Sequence, residues 1–140
     1  MFVVLVDVVN IHWRQQGIIV CDLETRILFK VIIFNKETNC FVFVRQFRAP
    51  VYMHKHMRGD KNLTGEDGIT LELCAGIIDK KEKSVAQHAV EEVQEETGYK
   101  VTLDDLEPVS AHLGSIGICG THLRVFYVEV TNAQVLTNLK

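Results

Sequence analysis

Glu91, Glu92, Glu95 and Glu96 fall within six residues, in the run Val90-Glu91-Glu92-Val93-Gln94-Glu95-Glu96-Thr97-Gly98. On a helix, Glu91/Glu95 and Glu92/Glu96 are like-charge pairs four residues apart, and Glu92/Glu95 is a pair three apart. Each such pair costs roughly 0.2–0.5 kcal/mol in an isolated helix. They also sit toward the carboxyl end, where the helix dipole favours cations. Repeated penalties in one place point to a cation held among the carboxylates. A hard divalent ion with oxygen ligands suits such a cluster, Mg2+ first and Mn2+ as its substitute. The competing account is an acidic face turned to water.

The element that must carry these glutamates is marked by its ends. Ser84 followed by Gln87 is the S-x-x-Q form of a capping box, and Gly98 fits the position just past a helix carboxyl end. Between them Val85, Ala86, Ala89, Val90 and Val93 form an apolar stripe at helical spacing. At about 100° per residue, with Val85 at zero, the stripe covers roughly 0° to 140°. On the same wheel Glu96 falls at about 20°, Glu92 at about 340°, Glu95 at about 280° and Glu91 at about 240°. Glu92, Glu95 and Glu96 therefore share one edge, and Glu96 lies beside the buried stripe. A carboxylate held there needs a partner, because burying an unpaired charge is expensive.

Before the helix, Leu71-Glu72-Leu73-Cys74-Ala75-Gly76-Ile77-Ile78-Asp79 reads as a strand running into a turn and loop. The block from Gly76 to Tyr99 resembles the Nudix box, G-x5-E-x7-R-E-U-x-E-E-x-G-U with U a bulky apolar residue. Gly76 and Glu82 match its first glycine and glutamate. Glu92, Val93, Glu95, Glu96, Gly98 and Tyr99 match its second half. One extra residue lies between the halves, and Glu91 stands where the family usually has arginine. The run Phe41-Val42-Phe43-Val44-Arg45-Gln46-Phe47-Arg48-Ala49-Pro50-Val51-Tyr52 is similar to the VRQFR segment of the UDP-sugar and ADP-ribose diphosphatase branch. The resemblance runs from about Ile32 to Asn132. Upstream of that, His12-Trp13-Arg14-Gln15-Gln16-Gly17 echoes the family's opening strands.

The resemblance implies an α+β fold: a Nudix α/β/α sandwich around a mixed β-sheet, truncated at its carboxyl end. It implies one domain over 1–140, with divergent strands in about 1–31 and the box at 76–99. It also implies Mg2+-dependent hydrolysis of the diphosphate in nucleoside diphosphate sugars. UDP-glucose would give UMP and glucose 1-phosphate; ADP-ribose would give AMP and ribose 5-phosphate. Glu92, Glu95 and Glu96 become catalytic metal ligands, with the backbone carbonyl of Ala75. Arg48, Arg45, Glu72 and Gly114 become substrate-binding candidates, Gly114 with Gly117 and Gly120 in a glycine-bearing loop. The arginine expected at position 91 normally steadies the metal-binding glutamates, so that support must come from elsewhere. The family also continues beyond Lys140, where a loop can carry a catalytic base. Those two departures define the alternative, a nucleotide-sugar-binding module without catalysis. A purely structural domain with a solvated acidic helix is the third account.

Composition sets the outer limits. The chain has 140 residues, 47% of them apolar, and a net charge of −3. That is one domain with enough material for a core, and no basic surplus that would mark a nucleic-acid binder. Cys21, Cys40, Cys74 and Cys119 are widely spaced, as expected for reduced thiols in a cytoplasmic protein. Met1 to Val9 is apolar but interrupted by Asp7, too short to span a bilayer, and suits a buried strand. Ile27–Phe34 and Cys40–Gln46 read as a hairpin about Asn35–Asn39, and Leu123–Val130 as a further strand. Met53–Gly68 reads as a polar, flexible insertion. Within it lie His54-x-His56, a weak metal pattern, the chance tripeptide Arg58-Gly59-Asp60 and the sequon Asn62-Leu63-Thr64. The resemblance gives that insertion a part in forming a homodimer and in substrate choice. No membrane or nucleic-acid partner is expected.

Overall fold

A computed structural model describes residues 2–7, 27–78, 82–114 and 120–136. Strand β2 (Ile27–Asn35) turns back into β3 (Cys40–Phe47). The turn is set by Asn35, whose Oδ1 accepts from the amides of Glu37 at 3.0 Å and Thr38 at 3.1 Å. Asn39 closes it at φ +54°, a left-handed conformation that asparagine tolerates better than most residues.

The two strands pair for only three residues, Ile33–Asn35 against Cys40–Val42. Then they part, and the chain returns later to fill the gap. Strand β4 (Ile69–Glu72) pairs antiparallel with β3 over Val44–Phe47. After Leu73, strand β5 (Cys74–Ile77) pairs antiparallel with β2 over Leu28–Val31. The sequence pointed to one strand here; the structure splits it between two partners.

Strand β1 (Phe2–Asp7) lies parallel to β3, and β7 (Thr121–Val130) lies parallel to β2. Strand β6 (Glu107–Gly114) pairs antiparallel with β7, with a bulge between Pro108 and Ser110. The sheet is therefore mixed, in the order β1-β3-β2-β7-β6, with β4 and β5 wedged between β3 and β2.

Alternation of side chains fixes which face is closed. Phe29, Val31 and Ile33 of β2, Val42 and Val44 of β3, and Phe126, Val128 and Val130 of β7 are buried in one cluster. Helix α2 (Val85–Thr97) packs Ala89 and Val93 into the same cluster. Burying one such valine or phenylalanine is worth about 1.5–3 kcal/mol, so this face anchors the helix and with it the glutamates.

The stretch 53–68 is not a flexible insertion throughout. Helix α1 (Ala49–Met57) begins it, with Pro50 in the first turn, where the missing amide costs nothing. A 3-10 turn over Gly65–Gly68 closes it, capped by Asp67 on the amide of Thr64 at 2.9 Å. Lys55 reaches Asp67 at 3.2 Å and ties the two together. The periodic signal was absent because α1 buries no residue. Strand β6 was missed for a related reason: seven of its eight residues are exposed, so it carries no in-out alternation.

Cys40 and Cys74 are free and buried. Cys21, Cys119, Gly117, Lys80, Lys81 and the segment 12–17 lie outside the described residues. Among the described residues no helix is long and apolar enough to cross a membrane.

Candidate active site

Helix α2 is punctuated as its sequence indicates. Ser84 Oγ accepts from the amide of Gln87 at 3.2 Å, and the Gln87 side chain accepts from the amide of Ser84 at 2.7 Å. Gly98 ends the helix at φ +75°. One face is buried through His88, Ala89, Val93 and Thr97. That orientation turns Glu92 and Glu96, one turn apart, toward strand β5.

Glu96 Oε2 accepts from the amide of Ala75 at 3.2 Å. Burial pushes the Glu96 carboxyl up; the Ala75 amide, the Cys74 thiol and the charge of Arg48 oppose this, while Glu72 adds to it. Burial, with Glu96 and Glu92 nearby, likewise pushes the Cys74 thiol up, so it stays protonated. Glu92 lies over Gly76. A β-carbon on Gly76 would stand 3.0 Å from Glu92 Oε2 and 2.6 Å from Phe29 Cζ. Gly76 is thus required by close approach rather than by backbone conformation. Glu95 is exposed on the outer edge.

A second polar group adjoins this edge. Arg48 precedes α1, its amide bonded to the Gly68 carbonyl at 2.8 Å. Its Nε and Nη2 donate to the two carboxylate oxygens of Glu72, both at 2.7 Å. Thr70 Oγ1 donates to Glu72 Oε1 at 2.5 Å. The guanidinium holds Glu72 down to about 2, well below the usual carboxylate value. Arg48 is raised in turn, by Glu72 first and with a smaller contribution from Glu96.

The structure therefore brings together Glu92, Glu96, Ala75, Gly76, Arg48 and Glu72, with Glu95 on the rim. It places Arg45 elsewhere, in an ion pair with Glu66 at 2.9 Å. Gly114 ends β6, separated from β5 by β2 and β7, or roughly 14 Å at strand spacing. A β-carbon on Gly114 would meet nothing closer than 3.9 Å, so no close approach demands glycine there. A cavity of about 560 Å3 opens between β2, β6 and β7, lined by Ile27, His112, Leu113, His122 and Arg124 among others; none of the glutamates borders it.

Sequence reasoning left the counterpart of Glu91 open. It is Lys83, whose Nζ forms an ion pair with Glu91 Oε1. Lys83 precedes the N-cap Ser84, outside the helix, and its long side chain spans the first two turns to reach position 91. The pairing of Arg48 with Glu72, 24 residues apart, follows from the β3–β4 register and had no local signal.

The donors fit a divalent cation in kind: two adjacent half-buried carboxylates, one of them with its pKa raised, beside exposed Glu95. Among the described residues, no three His, Cys, Asp or Glu side chains stand close enough to form a cage. That is compatible with Mg2+, which commonly takes one or two carboxylates and fills its shell with water and substrate phosphate.

Comparison with known proteins gives relatives by sequence and by fold. No family model matches the chain. Uridine diphosphate glucose pyrophosphatase NUDT14 of Mus musculus is 31% identical over 143 aligned residues, covering 89% of this chain and 64% of the relative. The chain thus spans under two thirds of that relative's length. GDP-mannose pyrophosphatase of Cronobacter sakazakii is 34% identical over 71 residues, covering 51% of this chain and 31% of the relative. Among solved structures, one described as the crystal structure of an ADP compounds hydrolase superposes with a TM-score of 0.56 at 15% identity. It covers 82% of this chain and 51% of its own. The sequence matches bear out the resemblance to the UDP-sugar and ADP-ribose diphosphatase branch, and the structural match bears out the mixed-sheet α+β fold.

Proposed function

We propose, from the premise that this chain is a Nudix-type relative of the sugar-nucleotide pyrophosphatases, that it hydrolyses the diphosphate of nucleoside diphosphate sugars with Mg2+ or Mn2+. Water adds to one phosphorus and the bridging P–O bond breaks. UDP-glucose gives UMP and glucose 1-phosphate, and ADP-ribose gives AMP and ribose 5-phosphate. The observation that carries the proposal is Glu96, a half-buried carboxylate with a raised pKa, set beside Glu92 on the face that meets Ala75 and Gly76.

In this reading Glu92 and Glu96 would hold the cation with the Ala75 carbonyl, and Glu95 on the rim would join them only by turning its side chain inward. Held by those residues, such an ion would supply charge stabilisation at phosphorus and a more acidic water. The Ala75 amide fixes the rotamer of Glu96, and Gly76 leaves the space that Glu92 occupies. Arg48 meets phosphate oxygens through its planar fork of donors. The cytoplasmic location and the homodimer implied by the resemblance belong to the same proposal.

The test is a product assay with UDP-glucose, ADP-ribose and GDP-mannose, with and without Mg2+. We expect a nucleoside monophosphate from at least one substrate, and none without metal. A folded protein that turns over none of them defeats the proposal. Binding of the same compounds without product is the outcome of the alternative module, which the acidic residue at position 91 favours.

A further inference from the structure

Arg48 and Glu72 were both candidates for touching substrate, yet the geometry divides their labour. A guanidinium has two edges that can take an oxygen pair: the side edge, Nε with one Nη, and the end edge, formed by both Nη atoms. Glu72 fills the side edge with two 2.7 Å bonds. No described residue takes Nη1, so the end edge stays open, and the Arg48 side chain is 39% exposed.

Glu72 itself has little left to offer a ligand. Its Oε1 accepts from Nε and from the Thr70 hydroxyl, and its Oε2 accepts from Nη2. Its charge is also the wrong sign for touching a diphosphate. The fixing is set by the backbone: Glu72 lies opposite Val44 and Thr70 opposite Gln46 in the β3–β4 ladder, and the one Thr70 hydroxyl proton goes to Glu72 at 2.5 Å, with the Gln46 carbonyl the longer alternative acceptor at 3.1 Å. Arg48 begins one residue past β3 and is tied through its amide to Gly68. Glu72 stands three residues before Ala75, whose amide Glu96 accepts from, so the arginine adjoins the acidic edge of the helix.

We propose that Glu72 is a positioning residue, which clamps the side edge of Arg48 so that its end edge receives two oxygens of the substrate diphosphate. Thr70 holds Glu72 in that orientation. The inference rests on the proposed reaction for its substrate class, but the clamp can be measured by binding alone. Lysine cannot reproduce a planar two-edged donor, so the benefit of Glu72 must vanish once Arg48 is gone.

The experiment is a double-mutant cycle on the full chain with R48K, E72Q and R48K/E72Q. It is read by steady-state kinetics and by calorimetric binding of inorganic pyrophosphate and UMP. We expect E72Q to raise KM and the pyrophosphate Kd about tenfold, the scale of a lost charge-assisted hydrogen bond, with kcat changed less than about threefold. The double variant should bind no worse than R48K. Multiplying effects in the double variant, or a loss confined to kcat, overturn the clamp. If E72Q fails to fold, T70V must still raise the pyrophosphate Kd by about two- to threefold, and an unchanged Kd overturns the proposal. A wild-type chain that binds pyrophosphate with this coupling but turns nothing over refutes the catalytic reading and leaves the clamp standing. Turnover with uncoupled variants does the reverse.

Discussion

Glu72 and Glu96 are both partly buried carboxylates on the side of the molecule that holds Arg48, yet the protein treats them oppositely. Glu72 has its guanidinium in a two-bond embrace and is held down to about 2. Glu96 has an amide and a thiol, feels Arg48 only at a distance, and is pushed up. The difference is one of supply: the protein provides the cation for one acid and withholds it from the other. An acid whose charge is left uncompensated inside a fold marks the place where a cation from outside would be stabilising.

The largest effect expected is on the uncompensated side. E96Q should lower turnover on the order of 1,000-fold, several kcal/mol of transition-state stabilisation. It should also abolish any rise in melting temperature caused by Mg2+. Without metal the same variant should melt at or slightly above wild type near pH 7. The sign follows from the direction of the shift. A carboxyl whose folded pKa is raised opposes folding once pH passes its unfolded value, and glutamine removes that opposition. An E96Q protein with normal activity and an intact Mg2+ response breaks the comparison.

Next is the space between the two acids. G76A would press a methyl group against the ring of buried Phe29 and the Glu92 carboxylate. Overpacking of this kind costs about 1–3 kcal/mol; thermal unfolding measures it, and activity should fall with it. An unchanged melting temperature would show that the strand and ring can part more easily than their packing implies.

On the compensated side the effect is a pH profile. Glu72 has a folded pKa of about 2 against an ordinary value of 4.5, so its contribution is present above about pH 4.5 and is lost as pH falls toward 2. E72Q should flatten the acid limb of the stability curve, measured by denaturant unfolding from pH 2 to 6. The smallest effect is expected at Lys83. Its pair with Glu91 is about one-third exposed on each side, and K83A should cost about 0.5 kcal/mol or less. A larger loss would mean that this pair supports the metal-side glutamates after all.

These contrasts were only partly visible in the amino-acid order. Helix α2 was legible from Ser84 to Gly98, because capping and periodicity are local. Its wheel placed Glu96 beside the buried stripe, and the structure does the same. What faces Glu96 had no local signal: only the family resemblance brought Ala75, 21 residues earlier, to the glutamates, and it is the Ala75 amide that Glu96 accepts from. The same holds for Arg48 with Glu72 and for Arg45 with Glu66, pairs 24 and 21 residues apart that the return of the chain brings together. Helix α1 and strand β6 escaped because neither puts an apolar stripe into the core. Gly114 carried a glycine signal without a steric need for one.

The split strand has one more consequence. A single uninterrupted segment, Thr70 to Gly76, receives Arg48 through Glu72 at one end and Glu96 through an amide at the other. Leu73 is the one residue between the two ladders. Phosphate taken up at the arginine should therefore slow amide hydrogen exchange at Ala75 and Gly76, and a divalent ion at the helix should slow it at Thr70 and Leu71, each end reporting on the other's occupancy.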